Sequence, residues 1–149
     1  MAYLLDTSLL VRLANSADVQ HSIAVKAVLE LHRRGEVLRV TPQVLVEFRS
    51  VATRPVESNG LGLSAADAAA QSAGFEASFG LLAETPDIYQ AWKQIVDGLG
   101  IIGKQVHDAR LVGVCHVHGV SHLLTFNAAH FARLAGFGPK VVMVEPKTI

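Results

Sequence analysis

A single cysteine, Cys115, rules out any disulfide within the chain. The fold must therefore rest on its core, and the thiol usage fits a reducing compartment. Net charge is also missing, since 13 Lys and Arg balance 13 Asp and Glu. A neutral chain has no global attraction for nucleic acid, so any such binding must come from a local patch. The N-terminus has no basic leader, and Asp6 interrupts its apolar run, so it does not read as a signal peptide. Residues 111–132 lack Asp, Glu, Lys and Arg, but hold His116, His118, His122 and His130 besides Ser121, Thr125 and Asn127. That is too polar for a spanning helix, and it reads as a buried helix, a turn and a buried strand. There is no internal repeat, no low-complexity segment and no interdomain linker. A soluble cytoplasmic protein without a membrane segment is expected.

What is present is apolar substance. Half of the 149 residues are hydrophobic, and the mean hydropathy is +0.35. This length fits one domain over 1–149 with a real core. Residues 3–5 form a short apolar run ending at Asp6, which reads as a strand buried on both faces. Asp6, Thr7 and Ser8 offer N-cap chemistry for a short helix carrying Leu9, Leu10, Val11 and Leu13. Residues 22–34 have apolar positions at helical spacing, and Gly35 closes them. Residues 37–40 read as a strand, followed by a helix opened by Thr41-Pro42 and running from 43 to 53. The stretch 55–63 is the clearest loop. Ser64, with Asp67 three residues on, caps an alanine-rich helix over 65–79. A third strand is expected at 81–83, a helix from Thr85-Pro86-Asp87 to 99, and a flexible link marked by Gly98, Gly100 and Gly103. A buried helix over 106–118, a strand at 121–125, a helix over 128–135 and a strand at 141–144 complete the chain. Strands alternating with helices predict an α/β fold with a parallel sheet and right-handed crossovers.

Three acids stand against this apolar background. Asp6 closes the first strand, Glu47 lies early in its helix, and Asp108 sits in the first turn of its own. Acids beside core elements need partners or work to do. In an open parallel sheet, ligands bind at the carboxyl ends of the strands, where these segments can meet. Carboxylates at close range repel unless a cation neutralises them. Hard oxygen ligands suit Mg²⁺ or Mn²⁺, and those ions suit phosphodiester chemistry. Taken singly, each acid has a blander reading as a helix cap, a surface acid or a partner of the helix dipole. Their joint placement carries the hypothesis.

Four segments resemble the motifs of PIN-domain ribonucleases. Leu5-Asp6-Thr7-Ser8-x-Leu10 looks like the first, and Thr41-Pro42-Gln43-Val44-Leu45-Val46-Glu47-Phe48 like the second. His107-Asp108-Ala109-Arg110-Leu111-Val112 looks like the third, and Leu124-Thr125-Phe126-Asn127-x-x-x-Phe131 like the fourth. The resemblance spans nearly the whole chain, and the short length is most similar to VapC-like toxins of type II toxin–antitoxin modules. It implies a three-layer α/β/α fold with a central parallel sheet, and an Mg²⁺- or Mn²⁺-dependent endoribonuclease acting on RNA. By motif position Asp6, Glu47 and Asp108 would hold the metal. Ser8 matches a small polar position beside the first acid, and Thr125 a polar position near the metal's waters. Many members carry Asp where this chain has Asn127, which leaves the site less acidic and a second metal less favoured. A cognate antitoxin and a homodimer, using the apolar helices that begin near Ser22 and Ser64, also follow from the resemblance.

Other residues sharpen or limit this reading. Arg12, Arg49, Arg54 and Lys104 lie near the motif segments and are candidates for RNA phosphates. Seven histidines raise zinc, but no HExxH is present, and His116 and His118 are two apart, so they face different ways on a helix. His107 is a candidate proton carrier or a solvent-facing residue. Trp92, Phe75 and Phe79 read as core, and Cys115 as inert packing. A second function class is a catalytically weak PIN-like module that binds RNA or a protein, motivated by Asn127. A third is a phosphatase or receiver domain, which the acid after strand one allows but the missing DxD argues against.

Overall fold

The computed structural model describes residues 1–149 throughout. The elements are β1 (Ala2–Leu5), α1 (Thr7–Ala14), α2 (His21–Arg33), β2 (Val37–Arg39), α3 (Pro42–Thr53), α4 (Ala65–Phe79), α5 (Pro86–Leu99), α6 (Gln105–His118), β3 (His122–Leu124), α7 (Ala128–Phe131) and β4 (Val142–Val144). Single 3-10 turns occupy Val56–Ser58 and Pro146–Thr148. The four strands form one parallel sheet in the order β2-β1-β3-β4. Helices flank it, giving the expected three-layer α/β/α arrangement. The central strands β1 and β3 are short and mostly apolar because a parallel strand between helices is buried on both faces, whereas the edge strands β2 and β4 leave Val37 and Val142 exposed. Leu4, Leu5, Leu123 and Leu124 have no exposed surface.

Sheet register decides where the chemistry lies. Leu5 pairs with Leu124 across β1 and β3, so Asp6 and Thr125 leave the sheet side by side. The Asp6 N–H donates to the Leu124 carbonyl at 3.0 Å, and the Thr125 N–H to Val144 at 3.0 Å. Both neighbouring strands thus hold the backbone of these two residues at the carboxyl end of the sheet.

Helix boundaries follow their caps. Thr41 accepts from the Val44 N–H at 3.1 Å, Ser64 accepts from the Asp67 N–H at 3.0 Å, and Gly35 takes the left-handed conformation after α2 with φ +75°. Phe79 is buried, and Phe75 and Trp92 pack against the core as half-buried side chains. Cys115 is buried, and burial pushes its thiol up to about 12. It is inert packing at neutral pH.

Three expectations differ from the structure. Residues 81–83 form no strand. Leu81 makes one parallel bridge to Val40, with the Val40 N–H donating to Gly80 at 3.0 Å and the Leu82 N–H to Val40 at 2.9 Å. Gly80, at φ +76°, turns the chain immediately before this bridge. The helix expected over 128–135 stops at Phe131 and gives way to turns, although Leu134 is still buried. Gly98 belongs to α5 rather than to a flexible link. A Cβ there would meet the Phe137 ring at 2.6 Å, so this glycine exists for close packing.

Candidate active site

Asp6 is the N-cap of α1 with extended backbone angles, φ −75° and ψ 158°. One carboxylate oxygen accepts the Thr7 N–H at 2.8 Å. The other accepts the Thr125 hydroxyl at 2.7 Å and the Ser8 hydroxyl at 3.0 Å. Asp6 is buried, and burial raises its pKa, while these three donors pull against that rise. A buried carboxylate held by three donors is fixed in place.

Glu47 arrives from the middle of α3, which packs on α1. Its Oε2 accepts the Thr7 hydroxyl at 2.7 Å, and its Oε1 accepts Gln43 Nε2 at 3.0 Å. Thr7 therefore ties the first acid's helix to the second acid through its backbone N–H and its hydroxyl. Gln43 also donates to the His107 carbonyl at 3.0 Å and accepts from Arg110 at 3.1 Å. This one amide joins α3 to the start of α6.

Asp108 stands in that first turn of α6. Its carboxyl is pushed up to about 6, chiefly by burial and next by the charge of Asp6; Glu47 adds to the rise, while His130 and His107 oppose it. Three acids thus converge where ionising the third is costly, the electrostatic condition that a bound cation relieves.

Asp6, Glu47 and Asp108 line one open cleft of about 340 Å³, together with Thr7, Ser8, Arg12, Asn127 and His130. Thr125 does not face it. That side chain is fully buried behind Asp6, where it donates to the carboxylate and accepts the Asn127 N–H at 3.0 Å. Ser8 similarly joins two segments, accepting the Phe126 N–H at 3.2 Å. Asn127 is exposed at the rim, and its side chain does not cap α7.

No three Asp, Glu, His or Cys side chains are drawn close enough to cage an ion on their own. The donor chemistry nevertheless fits a hydrated hard cation, because Mg²⁺ keeps several waters and needs only one or two direct carboxylates. The expected acids fit such a group as a set of oxygen ligands around a shared cleft.

The candidate RNA-contacting cations separate. Arg12 lines the cleft, with its guanidinium 4.6 Å from the Phe126 ring centroid and hydrogen bonds to Gln20 at 2.6 Å and the Ser8 carbonyl at 3.0 Å. Arg49, Arg54 and Lys104 are exposed and lie outside the cleft's lining. Sequence reasoning missed Thr7, Gln43 and His130. A signal for His130 existed, since it lies three residues beyond Asn127 and so shares its helical face. Gln43 precedes Glu47 by four, a spacing that brings side chains together.

A PIN domain family model matches residues 3–137. No curated protein matches the chain significantly. Among solved structures, VapBC2 from Rickettsia felis, bound to a DNA fragment from its promoter, aligns with a TM-score of 0.69 at 16% identity, covering 97% of this chain and 98% of that one. VapBC-1 from nontypeable Haemophilus influenzae aligns with a TM-score of 0.70 at 15% identity, covering 98% of each chain. Mycobacterium tuberculosis VapC20, a sarcin-ricin loop cleaving toxin, aligns with a TM-score of 0.63 at 23% identity, covering 92% of this chain and 97% of that one. Such identities express a shared fold. With the family model spanning all three acids and the cleft they line, the chain belongs to the PIN-domain family.

Proposed function

We propose that the protein is an Mg²⁺- or Mn²⁺-dependent endoribonuclease and the toxin of a toxin–antitoxin pair. The observation that carries this reading is the convergence of Asp6, Glu47 and Asp108 on one cleft, with Asp108 raised by burial and then by its acidic neighbours. These three residues would hold the metal, which when bound activates a water and offsets charge on the phosphodiester. Asp6 acts as the fixed ligand, since Thr125, Ser8 and Thr7 hold its carboxylate before any ion arrives. Glu47 is oriented by Thr7 and Gln43. Asp108 is the adjustable ligand, since its carboxyl is pushed up to about 6 and a nearby cation would favour its ionised form. Ser8 and Thr125 position Asp6, and Asn127 offers a neutral amide at the rim. In-line attack on phosphorus would leave a 5′-phosphate and a 3′-hydroxyl.

The fold neighbours include toxin–antitoxin complexes, which supports a cognate antitoxin here. Its docking site would be the apolar groove of about 410 Å³ between α2 and α4, lined by Val25, Val28, Leu29, Phe75 and Phe79. A homodimer belongs to the same reading. No helix is long and apolar enough to cross a membrane, and a cytoplasmic site of action is part of the proposal.

Asn127 and the absence of a closed three-ligand cage favour one second reading, a weak PIN-like module that binds RNA or protein without cutting. Incubating the protein with total RNA in Mg²⁺, Mn²⁺ or EDTA separates the two. Metal-dependent fragments support the nuclease. RNA retention without cleavage in either metal supports the module.

A further inference from the structure

The fourth motif supplies no charge at Asn127, yet the cleft has another donor. His130 follows on the same short helix, α7, and lines the cleft beside Asp108 and Asn127. Its backbone is held on both sides: its N–H donates to the Asn127 carbonyl at 2.9 Å, and its carbonyl accepts from Gln105 of α6 at 3.3 Å. The second bond ties α7 to the helix that carries Asp108. The imidazole itself is exposed and makes neither of these bonds, so it is free to turn toward a ligand.

We infer that His130 is a nitrogen ligand of the metal centre, which makes the site a mixed oxygen–nitrogen one that prefers Mn²⁺ over Mg²⁺. This rests on the nuclease reading of the same cleft. The chemistry is direct. Carboxylates and waters alone suit Mg²⁺, whereas an imidazole adds little for Mg²⁺ and binds later first-row divalent ions progressively better. A neutral imidazole also contributes a donor without adding a negative charge to a cleft that Asp6, Glu47 and Asp108 already line. The asparagine and the histidine act together: one lowers the charge, the other restores the ligand number.

The test is pulsed EPR on the protein loaded with Mn²⁺ alone, with Mn²⁺ and Mg²⁺ binding measured by titration. Wild type should show ¹⁴N modulation from a directly bound imidazole. His130→Ala should lose it and bind Mn²⁺ roughly tenfold more weakly, with Mg²⁺ binding little changed. His107→Ala should keep the modulation, and His130→Asp should shift preference back toward Mg²⁺. Modulation that persists in His130→Ala, while Asp6→Asn abolishes Mn²⁺ binding, would overturn the histidine ligand and leave the carboxylate centre standing. Mn²⁺ binding that is absent, or indifferent to Asp6→Asn, would overturn both.

Discussion

The two walls of the cleft are built on opposite terms. The strand wall is fixed: Asp6 is buried, capped into α1 and held by Thr125, Ser8 and Thr7 before anything binds. The helix wall is loose: Asp108 is half-buried, no side chain or backbone group is found hydrogen-bonded to its carboxyl, and its neighbours Asn127 and His130 are exposed. Both walls carry a carboxyl whose pKa is raised by burial, but only the strand wall has donors that work against the rise. One wall sets the position of the centre, and the other adapts to what occupies it.

The largest expected effect comes from exchanging the fixed acid. Asp6→Asn should lower RNA cleavage by about a thousandfold or more, as loss of a central metal ligand does, while circular dichroism stays native because the surrounding hydroxyls can reverse their donor roles. Asp6→Ala should in addition cost about 2–3 kcal/mol of stability in urea unfolding, because a helix loses its cap and the buried Thr125 and half-buried Ser8 hydroxyls lose their acceptor.

Next comes a substitution whose two effects run in opposite directions. Asp108→Asn should abolish most cleavage, yet stabilise the metal-free protein at neutral pH by something on the order of 1 kcal/mol, after allowance for solvent screening of a half-exposed carboxyl. An equal loss of stability at Asp6 and Asp108 would break the contrast between the walls.

The pH dependence follows with a definite sign. The folded Asp108 carboxyl keeps its proton up to about 6, and the unfolded one only to about 4. Between those values the folded state binds more protons, so the metal-free protein should lose stability as pH rises through that window. Asp108→Asn should flatten the slope measured by unfolding across pH 4 to 7. Thr125→Val, with its own cost in stability, should lower cleavage less than Asp6→Asn, because Ser8 and Thr7 still hold the carboxylate. Arg49→Ala and Arg54→Ala should change RNA binding least, by less than about threefold, since exposed single cations outside the cleft contribute weakly.

Much of this was legible in the amino-acid order because it rests on local rules. Short apolar runs gave the strands, Thr41 and Ser64 gave their helix starts, and the parallel sheet carried Asp6 to its carboxyl end. The parts that were not legible depend on tertiary packing. Thr125 looked like a cleft residue from its motif, but the Leu5–Leu124 register turns it behind Asp6. Residues 81–83 have strand-like composition, yet Gly80 and the lone Val40 bridge leave them no ladder. Gly98 reads as a breaker, yet α5 runs through it, and only the fold shows the Phe137 ring standing where a Cβ would be. Arg49 and Arg54 are near Glu47 along the chain, but they do not line the cleft that it lines.

The most direct measurement is a paired cleavage assay on total RNA, wild type against Asp6→Asn, in Mg²⁺, Mn²⁺ and EDTA. Cleavage that requires metal and disappears in the variant is the expected result. Folded protein that cuts equally well with Asn at position 6, or in EDTA, would contradict a metal-dependent nuclease centred on these carboxylates.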